Sequence, residues 1–121
     1  MAKAIYNAAK TDDTEAFAYG TNVAQQDRVG LKLSDYPPIA DAILVLKNHG
    51  MDISNECCMQ LLPEHLEGAS RIIVMTEKED MPEWLQKYAY DYWEIPNPQI
   101  VTKETAEEIY LLLKDKIQSL I

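Results

Sequence analysis

The apolar run Arg71-Ile72-Ile73-Val74-Met75 constrains the fold more than any other part of this 121-residue chain. A continuous β-branched and apolar segment between polar flanks is typical of a parallel strand that is covered on both faces. Strand and helix patterns alternate along the rest of the sequence, which predicts right-handed crossovers and a parallel sheet. We therefore expect an α/β fold that binds ligands at the carboxyl ends of its strands.

Three segments have the apolar spacing of helices. Residues 1–10 form the first. The second begins at Pro37-Pro38, because proline suits the first helical turn, and ends near Gly50, a residue type that caps helices. Its apolar residues Ile39, Ala42, Ile43 and Leu46 recur at helical spacing. The third begins at Thr102 and carries an apolar stripe of Ala106, Ile109, Tyr110, Leu113, Ile117 and Leu120. Residues 63–67 predict one further helical turn.

Two more strands are predicted. Residues 15–19 form the first, which stops at Gly20-Thr21, and residues 92–95 form the second, which stops at the rigid loop Pro96-Asn97-Pro98. Between them, Thr76 and Glu79 have the spacing of a capping box, in which each side chain bonds the other residue's amide. This box predicts a helix that turns Trp84, Leu85 and Tyr88 towards the core.

The composition excludes several classes of partner. Twenty acidic residues against 11 basic ones give a net charge of −9, so nucleic acid and anionic membranes are not expected partners. No apolar run approaches the roughly 18 residues that span a bilayer, and no signal-peptide pattern occurs, which favours a cytoplasmic location. With 47% apolar residues, residues 1–121 are expected to form one domain.

The cysteines and histidines predict neither a metal site nor a cofactor. Cys57 and Cys58 are adjacent, which is not the spacing of zinc ligands, and a disulfide between neighbours is strained. We interpret them as two small half-buried thiols. His49 at a predicted helix end and His65 on a polar turn are interpreted as surface residues rather than catalytic bases.

A series of short motifs resembles the low-molecular-weight protein tyrosine phosphatases and the related arsenate reductases. In order, the motifs are residues 1–7, Ala18-Tyr19-Gly20-Thr21, residues 49–54, Gln60-Leu61, residues 69–76 and Ile95-Pro96-Asn97-Pro98. The resemblance covers nearly the whole chain. It implies a three-layer α/β fold with a small parallel sheet in the order 2-1-3-4. In the family, strand 1 runs into a Cys-x5-Arg loop whose amides hold phosphate.

The resemblance implies that residues 1–121 are one truncated domain that lacks strand 1 and the Cys-x5-Arg loop. Met1 then corresponds to a position where the family has an internal methionine. No Cys-x5-Arg occurs in the sequence, because Pro63 and Glu64 stand six residues after the two cysteines. In the family, the cysteine attacks phosphorus, the arginine holds the phosphoryl oxygens and an Asp-Pro aspartate protonates the leaving group.

At that general-acid position the chain has Asn97, and an amide cannot donate a proton as a carboxylic acid does. The resemblance therefore implies an inactive phosphatase-like domain. It assigns substrate binding to Gly20, Thr21 and Pro98. The ligand would be a phosphorylated protein or a small phosphate or other oxyanion.

Several interpretations remain open. The protein is a phosphatase-like hydrolase whose nucleophile loop is encoded upstream, or a non-catalytic binding or regulatory module derived from the fold, which Asn97 favours. An arsenate reductase-like protein is an alternative, although the cysteine pair precedes the third strand of the family instead of following it. The last alternative is a small α/β interaction module whose likeness to the family is accidental. A sheet that is not parallel would favour this alternative.

A missing strand 1 also has a structural consequence. Strands of a sheet lie about 4.8 Å apart, so its absence leaves a gap of roughly twice that spacing between residues 15–19 and residues 71–75. We expect these two segments either to pair directly or to receive a strand from a second copy of the chain, which would make a homo-oligomer.

Overall fold

The computed structural model describes residues 1–95 and 103–121. In these residues the helices are α1 (Ala2–Ala9), α2 (Ala40–Asn48) and α3 (Lys103–Gln118), and the strands are β1 (Ile73–Val74) and β2 (Asp91–Tyr92). Short 3₁₀ helices lie at Leu33–Asp35, Pro37–Ile39, Pro63–Leu66, Lys78–Asp80 and Glu83–Lys87. The predicted α/β class is confirmed. None of the described helices is long and apolar enough to cross a membrane.

The contacts within the chain divide it into two compact units, each built from separated segments. Among the described residues, the helical unit consists of Met1–Ala18, Leu31–Cys57 and residues 103–121. The sheet unit consists of Tyr19–Gly30 and Cys58–Ile95. The expectation of one domain across residues 1–121 stays a prediction, because two discontinuous units can belong to a single domain.

In the helical unit, α1 and α2 each pack against α3. The predicted stripe of α3 is buried from Ala106 to Ile117, and α2 buries Ala42 and Leu46, as its spacing predicts. Ile39 and Ile43 of the same pattern are only half-buried, whereas Val45, which the spacing did not select, is fully buried. The helix begins after the 3₁₀ turn Pro37–Ile39, and Gly50 follows its end at a φ of 85°, where a glycine is favoured.

The sheet unit contains the parallel pair that the apolar run predicted. Ile73 lies opposite Asp91 and Val74 opposite Tyr92. The amide of Asp91 donates to the carbonyl of Ile72 and that of Trp93 to the carbonyl of Val74, each at 2.9 Å. The strands are shorter than predicted, two residues each, and in the described part of the chain β1 has a strand neighbour on one edge only.

The predicted strand at residues 15–19 is wrong. Two hydrogen bonds from one side chain take the place of a neighbouring strand: the Ala16 amide donates to Asn7 Oδ1 at 2.8 Å, and Asn7 Nδ2 donates to the Ala16 carbonyl at 3.2 Å. The segment stays open to solvent, with Phe17 67% exposed. Direct strand pairing between residues 15–19 and 71–75 is therefore wrong as well.

The predicted capping box is also wrong. The segment after Thr76 forms the 3₁₀ turn Lys78–Asp80, which has no side-chain cap. The Glu79 carboxyl contacts Glu77 instead of the Thr76 amide. The helix expected to follow is the short 3₁₀ helix Glu83–Lys87, in which Leu85 is buried and Trp84 is half-buried.

Candidate functional site

The Gly20-Thr21 corner is held by a parallel bridge between Gly20 and Gln60. The Gly20 amide donates to the Met59 carbonyl at 2.9 Å, and the Leu61 amide donates to the Gly20 carbonyl at 2.8 Å. The corner also packs tightly on a buried side chain, since a Cβ at Gly20 would lie 2.5 Å from Val23 Cγ2. Glycine is therefore required here by close packing rather than by an unusual φ.

The side chain of Gln60 fixes the conformation of this corner. Its Oε1 accepts the Ala24 amide at 2.9 Å, and its Nε2 donates to the Thr21 carbonyl at 2.9 Å. Both ends of the amide group are thus used. The sequence interpretation included Gln60 in a motif but gave it no role, because its partners lie up to 39 residues away along the chain.

Hydrogen bonds link three residues with hydroxyl groups beside the carboxyl ends of β1 and β2. Thr21 Oγ1 lies 3.2 Å from Thr76 Oγ1, a hydrogen bond in which either can be the donor. The Tyr92 hydroxyl donates to the Thr76 carbonyl at 2.8 Å. All three side chains are half-buried. We call Thr21, Thr76 and Tyr92 the hydroxyl cluster.

The charges around the hydroxyl cluster have both signs. Lys78 Nζ lies 5.2 Å from the centre of the Tyr92 ring, within the range of a cation–π contact. Glu77 and Glu79 are exposed in the same turn. A hydrogen bond to Glu79, together with repulsion between the two carboxylates, raises the pKa of Glu77. An anion here would depend on hydroxyl donors and Lys78, and would be opposed by the two glutamates.

This arrangement suits binding better than covalent catalysis. A threonine or tyrosine hydroxyl becomes a strong nucleophile only with an adjacent general base. The hydrogen-bond partners of the cluster are another hydroxyl and a backbone carbonyl, and neither accepts a proton at neutral pH. The groups can, however, donate hydrogen bonds to an oxyanion once their mutual bond is exchanged for the ligand.

Of the predicted site residues, Gly20 and Thr21 lie at this corner. Asn97 and Pro98 lie outside the described residues. Thr76 and Tyr92 were not selected as site residues, although Thr76 follows the strongest predicted strand directly. The rule that ligands bind at the carboxyl ends of parallel strands was the signal that could have found both.

The cysteines and histidines contribute no group to the hydroxyl cluster. Both thiols are free, with Cys57 exposed and Cys58 half-buried. The His65 ring stacks on Tyr19 at a centroid distance of 4.0 Å, and its Nδ1 accepts the Leu62 amide at 3.0 Å, which is a structural role. Within residues 1–95 and 103–121, no three histidine, cysteine or acidic side chains converge on a metal position.

No family model matches this chain, and no curated protein matches it either.

Proposed function

We propose that this chain is a low-molecular-weight protein tyrosine phosphatase-like domain that binds a phosphorylated or other oxyanion ligand without hydrolysing it. The observation that carries the proposal is the 3.2 Å contact between Thr21 and Thr76. The resemblance assigns substrate binding to Thr21, and Thr76 directly follows the strongest predicted strand, residues 71–75. Their hydroxyl groups lie beside the end of a parallel strand pair, where α/β folds bind ligands.

The finer fold belongs to the same proposal. The parallel pairing of β1 with β2 is consistent with adjacent strands 3 and 4 of the order 2-1-3-4. In a three-layer arrangement, strand 1 would occupy the edge of β1 that has no strand neighbour in the described part of the chain. A strand supplied by a second copy of the chain would complete that edge, as a homo-oligomer.

Binding without hydrolysis follows from the side chains that the sequence contains. A cysteinyl-phosphate mechanism needs a thiolate and an arginine six residues apart, and no such pair occurs in these 121 residues. Asn97 at the general-acid position would leave the phenolate leaving group without a proton donor. A phosphorylated protein is the ligand class that the family resemblance favours, and the acidic surface of the chain argues against nucleic acid.

The test is a two-dimensional NMR titration of the ¹⁵N-labelled chain with phenyl phosphate, alongside release of nitrophenol from p-nitrophenyl phosphate. We expect concentration-dependent shifts of the Thr21 and Thr76 amides. We expect no nitrophenol release above that of buffer. Since a hydrogen bond to a charged group contributes about 1.5–3 kcal/mol, Thr21→Val should weaken binding roughly 10- to 100-fold.

Two variants separate ligand binding from structural damage. Thr21→Ser keeps the hydroxyl group and should bind phenyl phosphate nearly as the original chain does. Thr11→Val makes the same change at an exposed threonine of the helical unit and should have no effect. Absence of shifts at Thr21 and Thr76, or equal weakening by Thr21→Val and Thr11→Val, would refute the binding proposal. Release of nitrophenol by the chain would refute its non-hydrolytic form.

A further inference from the structure

The helical unit contains a cleft of about 180 Å³ that the proposed function does not use. Its floor is apolar and well packed: Ile5 of α1 is 4% exposed, and Tyr110 and Ile117 of α3 are 5% and 2% exposed. The apolar surface of these three residues belongs to the core of the unit. The exposed residues Ala8 and Ala9 of α1 complete the apolar lining of the cleft.

One wall of the cleft is held in place by two contacts of the His49 ring. The ring stacks on Tyr110 with a centroid distance of 4.0 Å and an interplanar angle of 16°. Its Nε2 lies 2.7 Å from Glu107 Oε1. A ring that is held by its face and by its edge has few other orientations to adopt. The wall is therefore formed before any ligand arrives, which lowers the entropy cost of binding.

The polar residues that line the cleft are neutral or basic. They are His49, Lys114 and Gln118, and no carboxylate lines it. This contrasts with the whole chain, in which acidic residues outnumber basic ones by 20 to 11. In the described residues Lys3 pairs with Glu56, Arg71 pairs with Asp91 and His49 contacts Glu107, and Lys114 takes part in none of these contacts. The charge of Lys114 is thus available to an anionic ligand, while that of Glu107 faces His49.

We propose that this cleft binds a small aromatic carboxylate, with the ring over Ile5 and Ile117 and the carboxylate beside Lys114. The size supports this class of ligand. A closed apolar cavity of about 150 Å³ accommodates benzene, so 180 Å³ accommodates a benzene ring with one small substituent. The charge favours a carboxylate over an amine, because Lys114 would attract the first and repel the second.

Three probes of similar shape and different charge test the proposal by NMR titration of the labelled chain: benzoate, benzyl alcohol and benzylamine. We expect benzoate to shift the amides of Ile5, Tyr110 and Ile117 with a Kd on the order of 1–10 mM, the range for a ligand of about nine non-hydrogen atoms. Benzyl alcohol should bind more weakly and benzylamine most weakly. Equal or tighter binding of benzylamine, or benzoate shifts at the hydroxyl cluster alone, would overturn the proposal.

Variants at exposed positions test the same site while sparing the core. Lys114→Met keeps the length of the side chain and removes its charge, so it should weaken benzoate binding roughly two- to fivefold and leave benzyl alcohol unaffected. Lys47→Met removes a charge from a residue of α2 that does not line the cleft and should change neither. Ala8→Leu should fill the cleft and abolish binding at an unchanged Tm. Full benzoate binding by Ala8→Leu, or identical losses in both methionine variants, would overturn the assignment.

Discussion

Gly20→Ala should destabilise the sheet unit through a single steric contact. The added Cβ would lie 2.5 Å from Val23 Cγ2, well inside van der Waals distance. Val23 is 5% exposed, and χ1 of its β-branched side chain is restricted, so it cannot turn away freely. Overpacking of this kind costs about 1–3 kcal/mol, and we take about 2 kcal/mol as the expected loss in the free energy of unfolding.

A double-mutant cycle tests whether this contact is the cause. Val23→Ala removes two buried methyl groups at about 0.8 kcal/mol each and leaves a small cavity, a loss of about 2 kcal/mol. If the two losses were independent, the double variant would lose about 4 kcal/mol. Because Val23→Ala also removes the clashing Cγ2, we expect a loss of only about 2–3 kcal/mol in the double variant.

The assay is urea unfolding followed by tryptophan fluorescence. Both tryptophans, Trp84 and Trp93, belong to the sheet unit, so the signal reports its unfolding. Gly68→Ala is the matched control: its φ of 77° makes alanine strained, but no atom lies within 4 Å of its Cβ. Its loss should add to that of Val23→Ala without coupling. Additive losses for Gly20→Ala and Val23→Ala would refute the steric reasoning.

Three further changes test other local features. Gly50→Ala should lower Tm by straining the φ of 85° after α2, at a cost of about 1–2 kcal/mol, and Gly50→Asn should cost less. Hydrogen bonds from the Ser54 hydroxyl and amide lower the pKa of Asp52, so its stabilisation is present at neutral pH and is lost as pH falls through the folded pKa. Asp52→Asn should therefore lower Tm at pH 7, and the difference should disappear in acid, once Asp52 is protonated in the folded state. The pKa of Glu77 is raised, so its contribution is favourable in acid and is lost as pH rises; Glu77→Gln should raise Tm at pH 7 and have little effect below about pH 4.

The helices could be predicted from the sequence because their signals are local. The apolar spacing of α3 places its apolar residues on one face. Packing that face against α1 and α2 buries every residue of the stripe from Ala106 to Ile117. Pro37 and Gly50 mark the ends of the second helical region by their own backbone preferences. Nothing distant is required for either signal, so a single sequence contains enough information to find both helices.

The site could be predicted only in part, because its contacts join residues far apart in the chain. Gly20 and Thr21 were found from the glycine and from the resemblance. Thr76 was assigned to a local capping box, yet its hydroxyl bonds a threonine 55 residues away. The hydroxyl of a capping-box residue can bond either the nearby amide or a group from a distant part of the chain. The sequence spacing reveals only the nearby partner. Tyr92 was missed for the same reason, since its partner is the backbone carbonyl of Thr76.

The failed strand at residues 15–19 shows what a short, mostly apolar segment cannot decide. Such a pattern says that a segment can be extended, but a strand also needs a backbone partner along its length. Asn7 offers Ala16 one donor and one acceptor, the same pair that a neighbouring strand would offer at that position. The Asn7 side chain can pair with the backbone amide and carbonyl of one residue only. The extended segment is therefore anchored at Ala16 without becoming part of a sheet, and its large apolar residue Phe17 stays exposed.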